Sequence, residues 1–294
     1  MSEAVALPRE HTKFSDLLIL TKVRLNALVV FTTAGGYWLG SSSGVDPIQL
    51  LLACVGTALV ASGAAAMNQV SEREIDRLMH RTRRRPIPGG RMGVAEGSAI
   101  GIGLALAGFA LLALTAGWLP TLVAAVTLVS YVLVYTPLKR HTSLATVVGA
   151  VPGALPPVIG WAAARGSIAS PEPWALFLIM FIWQLPHFLA IAWMFREDYA
   201  RAGLPMLPVV DKHGALTGRQ AVLWAATVIP MSELPFLLGL SNRVYAMGAL
   251  VIGVLQLVVA VRFALDRSRE HARGLFLATI TYLPLLWLLM AFGR

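Results

Sequence analysis

Asn68, Glu72 and Asp76 stand four residues apart at the end of an apolar run. On an α-helix each such step slips only about 40° around the axis and rises about 6 Å, so the three form one column of oxygen donors. Hard oxygens from carboxylates and an amide suit Mg²⁺, which takes a few carboxylates together with water and phosphate oxygens. A helix end carrying solvated charge is the plainer alternative. Directly after the column come Arg77, His80, Arg81, Arg83, Arg84 and Arg85. Acids and arginines in one loop are what a metal–diphosphate complex requires, because guanidinium forks take the phosphate oxygens that the metal leaves. Anionic lipid headgroups would attract the same arginines. Lys139 and Arg140 fall on the same side of the chain's layout. A second column, Gln184, His187, Ile191, Met194 and Asp198, follows a 3, 4, 3, 4 spacing. It sets an acid at the mouth, placed to meet the first column, and an imidazole about 16 Å deeper. A histidine inside a membrane span is a functional candidate, with a hydrogen bond to a neighbouring helix as the ordinary alternative.

The elements that position these residues are membrane spans. Of 294 residues, 57% are hydrophobic and only 13% charged, whereas soluble chains carry about 25% charge. Segments near 17–40, 47–70, 94–115, 118–136, 144–163, 173–195, 219–240, 243–263 and 274–292 are each long enough to cross a hydrocarbon core of about 30 Å. They lack strand alternation, so the expected fold is all-α and polytopic, with nine transmembrane helices around a central cavity facing the cytoplasm. The net charge of +9 would suggest nucleic acid in a soluble protein, but here the charge sorts by side and no nucleic-acid partner is expected. With nine spans, only Arg165, Arg243 and Arg294 of the 24 lysines and arginines fall on the far side. That places the amino terminus in the cytoplasm and the carboxyl terminus across the bilayer, by the positive-inside rule. Residues 1–16 read as a cytoplasmic tail without a cleavable signal or clear presequence, and 17–294 as a single transmembrane domain. This favours a bacterial cytoplasmic (inner) membrane. One cysteine, Cys54, excludes an intrachain disulfide. Glu233, inside the seventh span, is assigned no role.

The ladder Asn68-x3-Glu72-x3-Asp76, followed by Arg77 to Pro86, resembles the first metal motif of the UbiA-type intramembrane prenyltransferases. More narrowly, the segments Tyr135–Arg140, Gly149–Trp161, Trp183–Phe188 and Asp198–Pro208 resemble those of the protoheme IX farnesyltransferases, or haem O synthases. The likeness covers about residues 15 to 210, and the last three spans share hydropathy only. Glu72 stands where Asp is usual, adding a methylene. Ala145 replaces a common Asn. Ala202 stands where the wider superfamily has a second Asp, as befits the haem-modifying branch.

The resemblance implies a UbiA-type bundle that moves a farnesyl group from farnesyl diphosphate to the vinyl group of protohaem (haem B), giving haem O. Its implied catalytic set is Asn68, Glu72, Asp76, Asp198 and His187, with Mg²⁺ on the first four and diphosphate on Arg77, Arg83, Lys139 and Arg140. His187 would orient the porphyrin, ligate its iron or accept a proton. The lipid bilayer is the solvent, and a haem O-modifying enzyme or haem–copper oxidase assembly factors are expected to receive the product. Two rivals stand beside this: a prenyltransferase of the same fold with an aromatic or quinone-precursor acceptor, and a transporter with helices broken at mid-membrane.

Overall fold

The computed structural model describes residues 12–42 and 44–293. Most of the expected amino-terminal tail, residues 1–11, lies outside them. The described chain is all-helical: α1 (Lys13–Leu20), α2 (Val23–Gly40), α3 (Pro47–Ser71), α4 (Arg73–Leu78), α5 (Val94–Thr115), α6 (Trp118–Val129), a π-helical turn (Ser130–Tyr135), α7 (Thr136–Leu138), α8 (Ala145–Ala154), α9 (Pro156–Arg165), α10 (Glu172–Met194), α11 (Arg196–Arg201), α12 (Leu207–Val210), α13 (Ala215–Leu237), α14 (Arg243–Asp266) and α15 (Arg269–Phe292). Among the described residues eight helical stretches are long and apolar enough to span a bilayer, or nine where α1 and α2, bent by 48°, count as one span. The fold is that of a multi-pass membrane protein with eight to nine spans against the nine expected.

Local chemistry sets the ends. Asp46 caps α3 by accepting from the Ile48 and Gln49 amides at 2.9 and 3.1 Å, with Pro47 preset for the first turn. Asn242 does the same for α14, accepting from Val244 and Tyr245. The fourth span widens into its π turn at Ser130–Tyr135, and the fifth breaks at Leu155 between α8 and α9, where Pro156 opens the second piece.

Without a hydrophobic drive between helices in lipid, contact depends on how near the backbones come. Glycine sets that distance twice. Across α2 and α9, a Cβ on Gly36 would overlap the Pro157 carbonyl, and one on Gly160 the Thr33 carbonyl. Across α3 and α5, a Cβ on Gly63 or Gly108 would lie 2.6 or 2.7 Å from the carbonyl oxygen of Gly101 or Gly56. The side chains left outward, among them Leu106, Leu114, Leu250 and Leu255, are large and apolar, as a lipid-facing surface requires. Gly160→Ala should lower stability by about 1–3 kcal/mol through overpacking. The check is thermal unfolding in detergent, where Gly103→Ala, with open space around its Cβ, should unfold like the parent.

Candidate active site

The ladder survives an interruption. At Glu72 (φ −95°, ψ 7°) α3 ends and α4 begins, yet the Glu72 amide still donates to the Asn68 carbonyl at 2.9 Å and the Asp76 amide to the Glu72 carbonyl at 2.8 Å. Asn68, Glu72 and Asp76 thus keep one face, and all three are buried, at 3%, 3% and 1% exposure. Each rung meets its own cation. Lys22 Nζ donates to Asn68 Oδ1 at 2.9 Å, Lys139 Nζ to Glu72 Oε1 at 3.2 Å, and Arg85 Nη1 to Asp76 Oδ2 at 2.6 Å. Burial alone would raise the Glu72 carboxyl, but Lys139 and Lys22 outweigh it and hold the group below its ordinary value. Asp76 Oδ1 is buried and accepts no hydrogen bond among the described residues.

These groups line a chamber of about 380 Å³, in which the cations Lys22, Arg81, Arg85 and Lys139 face the carboxylates Glu72 and Asp76. The π turn adds Tyr131 and Tyr135 to its wall, their rings stacked at 5.5 Å. Such wide turns recur at functional sites because they re-aim the side chains that follow. A second cavity, about 210 Å³ and lined largely by Ala, Val, Leu and Ile side chains with backbone-rich Gly149 and Gly153, adjoins the first. Lys22, Leu25, Tyr131, Gly149 and Phe188 wall both. A charged compartment thus opens into an apolar one, with Lys22 at the junction.

Lys22 reaches that junction because the chain bends beneath it. Its backbone is left-handed (φ 50°, ψ 45°), a conformation costly for a residue with a Cβ. Gln69 Nε2 holds the bend by donating to the Ile19 and Leu20 carbonyls, each at 2.9 Å, and Asn26 Nδ2 donates to the Thr21 carbonyl at 2.8 Å. On the outer side, Arg91 grips Asp16 of α1 through two nitrogens at 2.9 and 2.7 Å.

Of the residues expected from the sequence, Asn68, Glu72, Asp76, Lys139 and His187 line the chamber together. Asp198 does not. Its oxygens accept from the His80 and Arg81 amides at 3.2 Å each and from Arg201 Nη1 at 2.9 Å. Burial works to raise the Asp198 carboxyl, and these donors override it, leaving the group below its ordinary value. Among the described residues no three His, Cys, Asp or Glu side chains gather as a metal cluster; the third donor beside Glu72 and Asp76 is the Asn68 amide. Three expected diphosphate ligands do not line the chamber. Arg77 is exposed and bonds Glu74 and the Pro88 carbonyl, Arg83 is exposed, and Arg140 caps the Ser71 carbonyl at 2.8 Å. The chamber instead takes Arg81 and Arg85 from the same run, together with Lys22, which its position within a span made readable only as a topology charge.

For the prenyl diphosphate that the resemblance implies, Arg85→Ala should cut binding by about two orders of magnitude, since it also strands the buried Asp76, while Arg83→Ala should act like the parent. Titrating prenyl diphosphate against both variants decides it. Asp198→Ala should speed hydrogen exchange at the His80 and Arg81 amides. Because both folded carboxyls lie below their ordinary values of 4.5 for Glu72 and 3.8 for Asp198, their contribution to stability is complete above those values and is lost as pH falls through the depressed ones. Exchange at the two amides should follow that loss.

Comparison with known proteins places this geometry. The model of the UbiA prenyltransferase family matches residues 28–290. The chain is 47% identical to a protein from Solibacter usitatus (strain Ellin6076) named Protoheme IX farnesyltransferase, over 95% of this chain and 98% of that one. It is 41% identical to the protein of the same name from Koribacter versatilis (strain Ellin345), covering 99% and 97%. Among solved structures, a digeranylgeranylglyceryl phosphate synthase superposes with a TM-score of 0.78 at 18% identity, covering 96% of this chain and 98% of that one. A UbiA homologue from Archaeoglobus fulgidus, bound to GPP and Mg²⁺, superposes at 0.65 with 15% identity, covering 94% and 100%. At such identities the likeness is one of fold. The chain belongs to the UbiA prenyltransferase family and groups there with the protoheme IX farnesyltransferases.

Proposed function

We propose that this chain transfers the farnesyl group of farnesyl diphosphate to the vinyl group of protohaem (haem B), yielding haem O and diphosphate, with Mg²⁺ as cofactor. The observation that carries it is the buried, unpartnered Asp76 Oδ1 in a chamber that joins an oxygen ladder and four cations to an apolar groove. A diphosphate headed by an isoprenoid tail has that same division of charge. The full-length relatives named Protoheme IX farnesyltransferase support the acceptor and the chain length. The family fold solved with GPP and Mg²⁺ supports the metal.

Asn68, Glu72 and Asp76 would hold the metal, for an orphaned carboxylate oxygen and a neighbouring amide are the hard donors Mg²⁺ selects. When bound, Mg²⁺ offsets the negative charge that grows on the leaving diphosphate. Lys22, Arg85 and Lys139, preorganised by their pairing with the ladder, present donors to the same charge, and Arg81, held over Phe195, adds another. The apolar groove receives the prenyl chain. Tyr131, Tyr135 and Phe188, with their π faces, keep water from the allylic cation and favour its charge electrostatically. Asp198 acts by anchoring the loop that carries Arg81. Water adds after the new carbon–carbon bond forms and supplies the hydroxyl of the product. The enzyme sits in the cytoplasmic membrane with its amino terminus and the chamber mouth on the cytoplasmic side, and passes its product to a haem O-modifying enzyme or oxidase assembly factors.

The test is the purified protein in lipid nanodiscs with labelled farnesyl diphosphate, protohaem and Mg²⁺. A product with the mass and spectrum of haem O is expected, and a prenylated phenol formed in preference to it would overturn the acceptor. Asp76→Ala should reduce kcat/KM by about 10²–10³ and lower the melting temperature because Arg85 loses its buried partner, and chelator should abolish turnover in the parent.

A further inference from the structure

His187 lines the chamber and, among the described residues, its ring makes one hydrogen bond, between Nδ1 and Thr279 Oγ1 of α15 at 2.9 Å. The Thr279 hydroxyl already donates its single hydrogen to the Phe276 carbonyl at 2.7 Å. It can therefore only accept from the imidazole, so the His187 proton sits on Nδ1 and Nε2 keeps a free lone pair. Thr279 is fully buried, so water does not compete for either bond. The ring cannot turn freely. Trp183 stacks on one neighbour side at 5.4 Å and 17°, Phe276 at 5.0 Å and 23°, and Trp183 is itself fixed by donating to the Thr279 carbonyl at 2.8 Å. With the Nδ1 edge held against α15, the opposite Nε2 edge is the one left for the chamber.

Two uses of such a nitrogen differ in charge. As a base it would become an imidazolium in a wall of Trp183, Phe276, Phe188 and Ile191, with no carboxylate paired to it among the described residues, at a steep desolvation cost. As a metal ligand it stays neutral. Histidines bound to metals characteristically donate their second N–H to a fixed acceptor, and the hydroxyl-to-carbonyl relay through Thr279 is such an acceptor. A bare imidazole beside an allylic cation would also be alkylated, whereas a lone pair engaged with iron is protected.

We infer that His187 Nε2 is an axial ligand to the iron of the protohaem acceptor, and that Thr279 is the positioning residue that fixes its tautomer. The inference rests on the acceptor proposed above. Coordination places the Nε2 lone pair on iron, with Nδ1–H retained, no proton released and the iron's oxidation state unchanged. His187 lies seven residues before the end of α10 at Met194, roughly 10 Å below the mouth. The acceptor would thus lie beneath the diphosphate, facing the freed carbon.

The experiment titrates ferric protohaem into the full protein in nanodiscs, read by optical and EPR spectra, with prenyl diphosphate binding measured on each variant as a check of folding. The parent should give an imidazole-ligated spectrum. His187→Ala should lose it and bind haem at least about tenfold more weakly, with added imidazole restoring the spectrum. His187→Met should give a thioether-ligated spectrum instead. Thr279→Val should weaken haem binding about tenfold and shift the spectrum while leaving prenyl diphosphate affinity intact. A His187→Ala protein that keeps the parental spectrum, while the parent makes haem O, overturns the ligand assignment alone. A parent that binds no protohaem and prenylates another acceptor overturns the acceptor reading, and this inference with it.

Discussion

Two carboxylates and an amide are buried side by side, and each is matched to a separate cation: Lys22 to Asn68, Lys139 to Glu72, Arg85 to Asp76. Removing one partner of a buried pair commonly costs about 3–5 kcal/mol, because the remaining charge has lost both water and its counterion. That constraint organises the bundle. The cations come from the bend after α1, from the loop directly after α4 and from the end of the fourth span, so two distant chain segments and one adjoining loop must arrive at α3 and α4 for the charges to be paired. The glycine contacts of α2 with α9 and α3 with α5 bring the helices near enough for side chains of ordinary length to do so.

The same pairs explain why the site holds more positive than negative groups. Charges this close to a lipid-facing bundle cannot be solvated by chance, and a surplus of donors already oriented by the ladder needs little rearrangement when a polyanion arrives. Local strain serves the same end. Lys22 occupies a left-handed backbone that costs on the order of 1–3 kcal/mol. Gln69, Asn26 and the Asp16–Arg91 fork hold that bend in place. The reward is a single ammonium at the junction of the charged chamber and the apolar groove.

Much of this was legible in the sequence, and the remainder was hidden for physical reasons. Nine spans followed from apolar length, and the ladder from a four-residue period that even the interruption at Glu72 did not disturb. Lys139 was legible because it sits on a helix end whose direction is fixed. Arg77 and Arg83 could not be told from Arg81 and Arg85, because the run leaves α4 at Leu78 and an irregular loop has no period from which to project a side chain. Asp198 shows a subtler limit. Its spacing from His187 assumed one continuous helix, but α10 ends at Met194 and α11 restarts at Arg196, which turns the carboxylate onto the neighbouring loop. Thr279 carries no motif at all. Only the approach of α15 to α10 reveals that its hydroxyl sets the state of His187.

Asp198 of α11 thus acts on the turn that follows α4, where a shared ligand set would have made the two segments symmetric partners. Asp198 accepts two successive amides of the turn His80–Arg81, and Arg81 in turn lies over Phe195 at 5.2 Å and donates to the Tyr199 hydroxyl at 3.4 Å. Met79, Tyr199, Leu204 and Met206 close the underside with one apolar cluster. Two amides on one carboxylate fix both position and orientation of a backbone turn, which a single contact cannot do. The guanidinium of Arg81 is therefore aimed by an acid outside the chamber, while that of Arg85 is aimed by Asp76 inside it. Asp198 alone makes these contacts to the turn, and Ala202, four residues on, adds no second carboxylate.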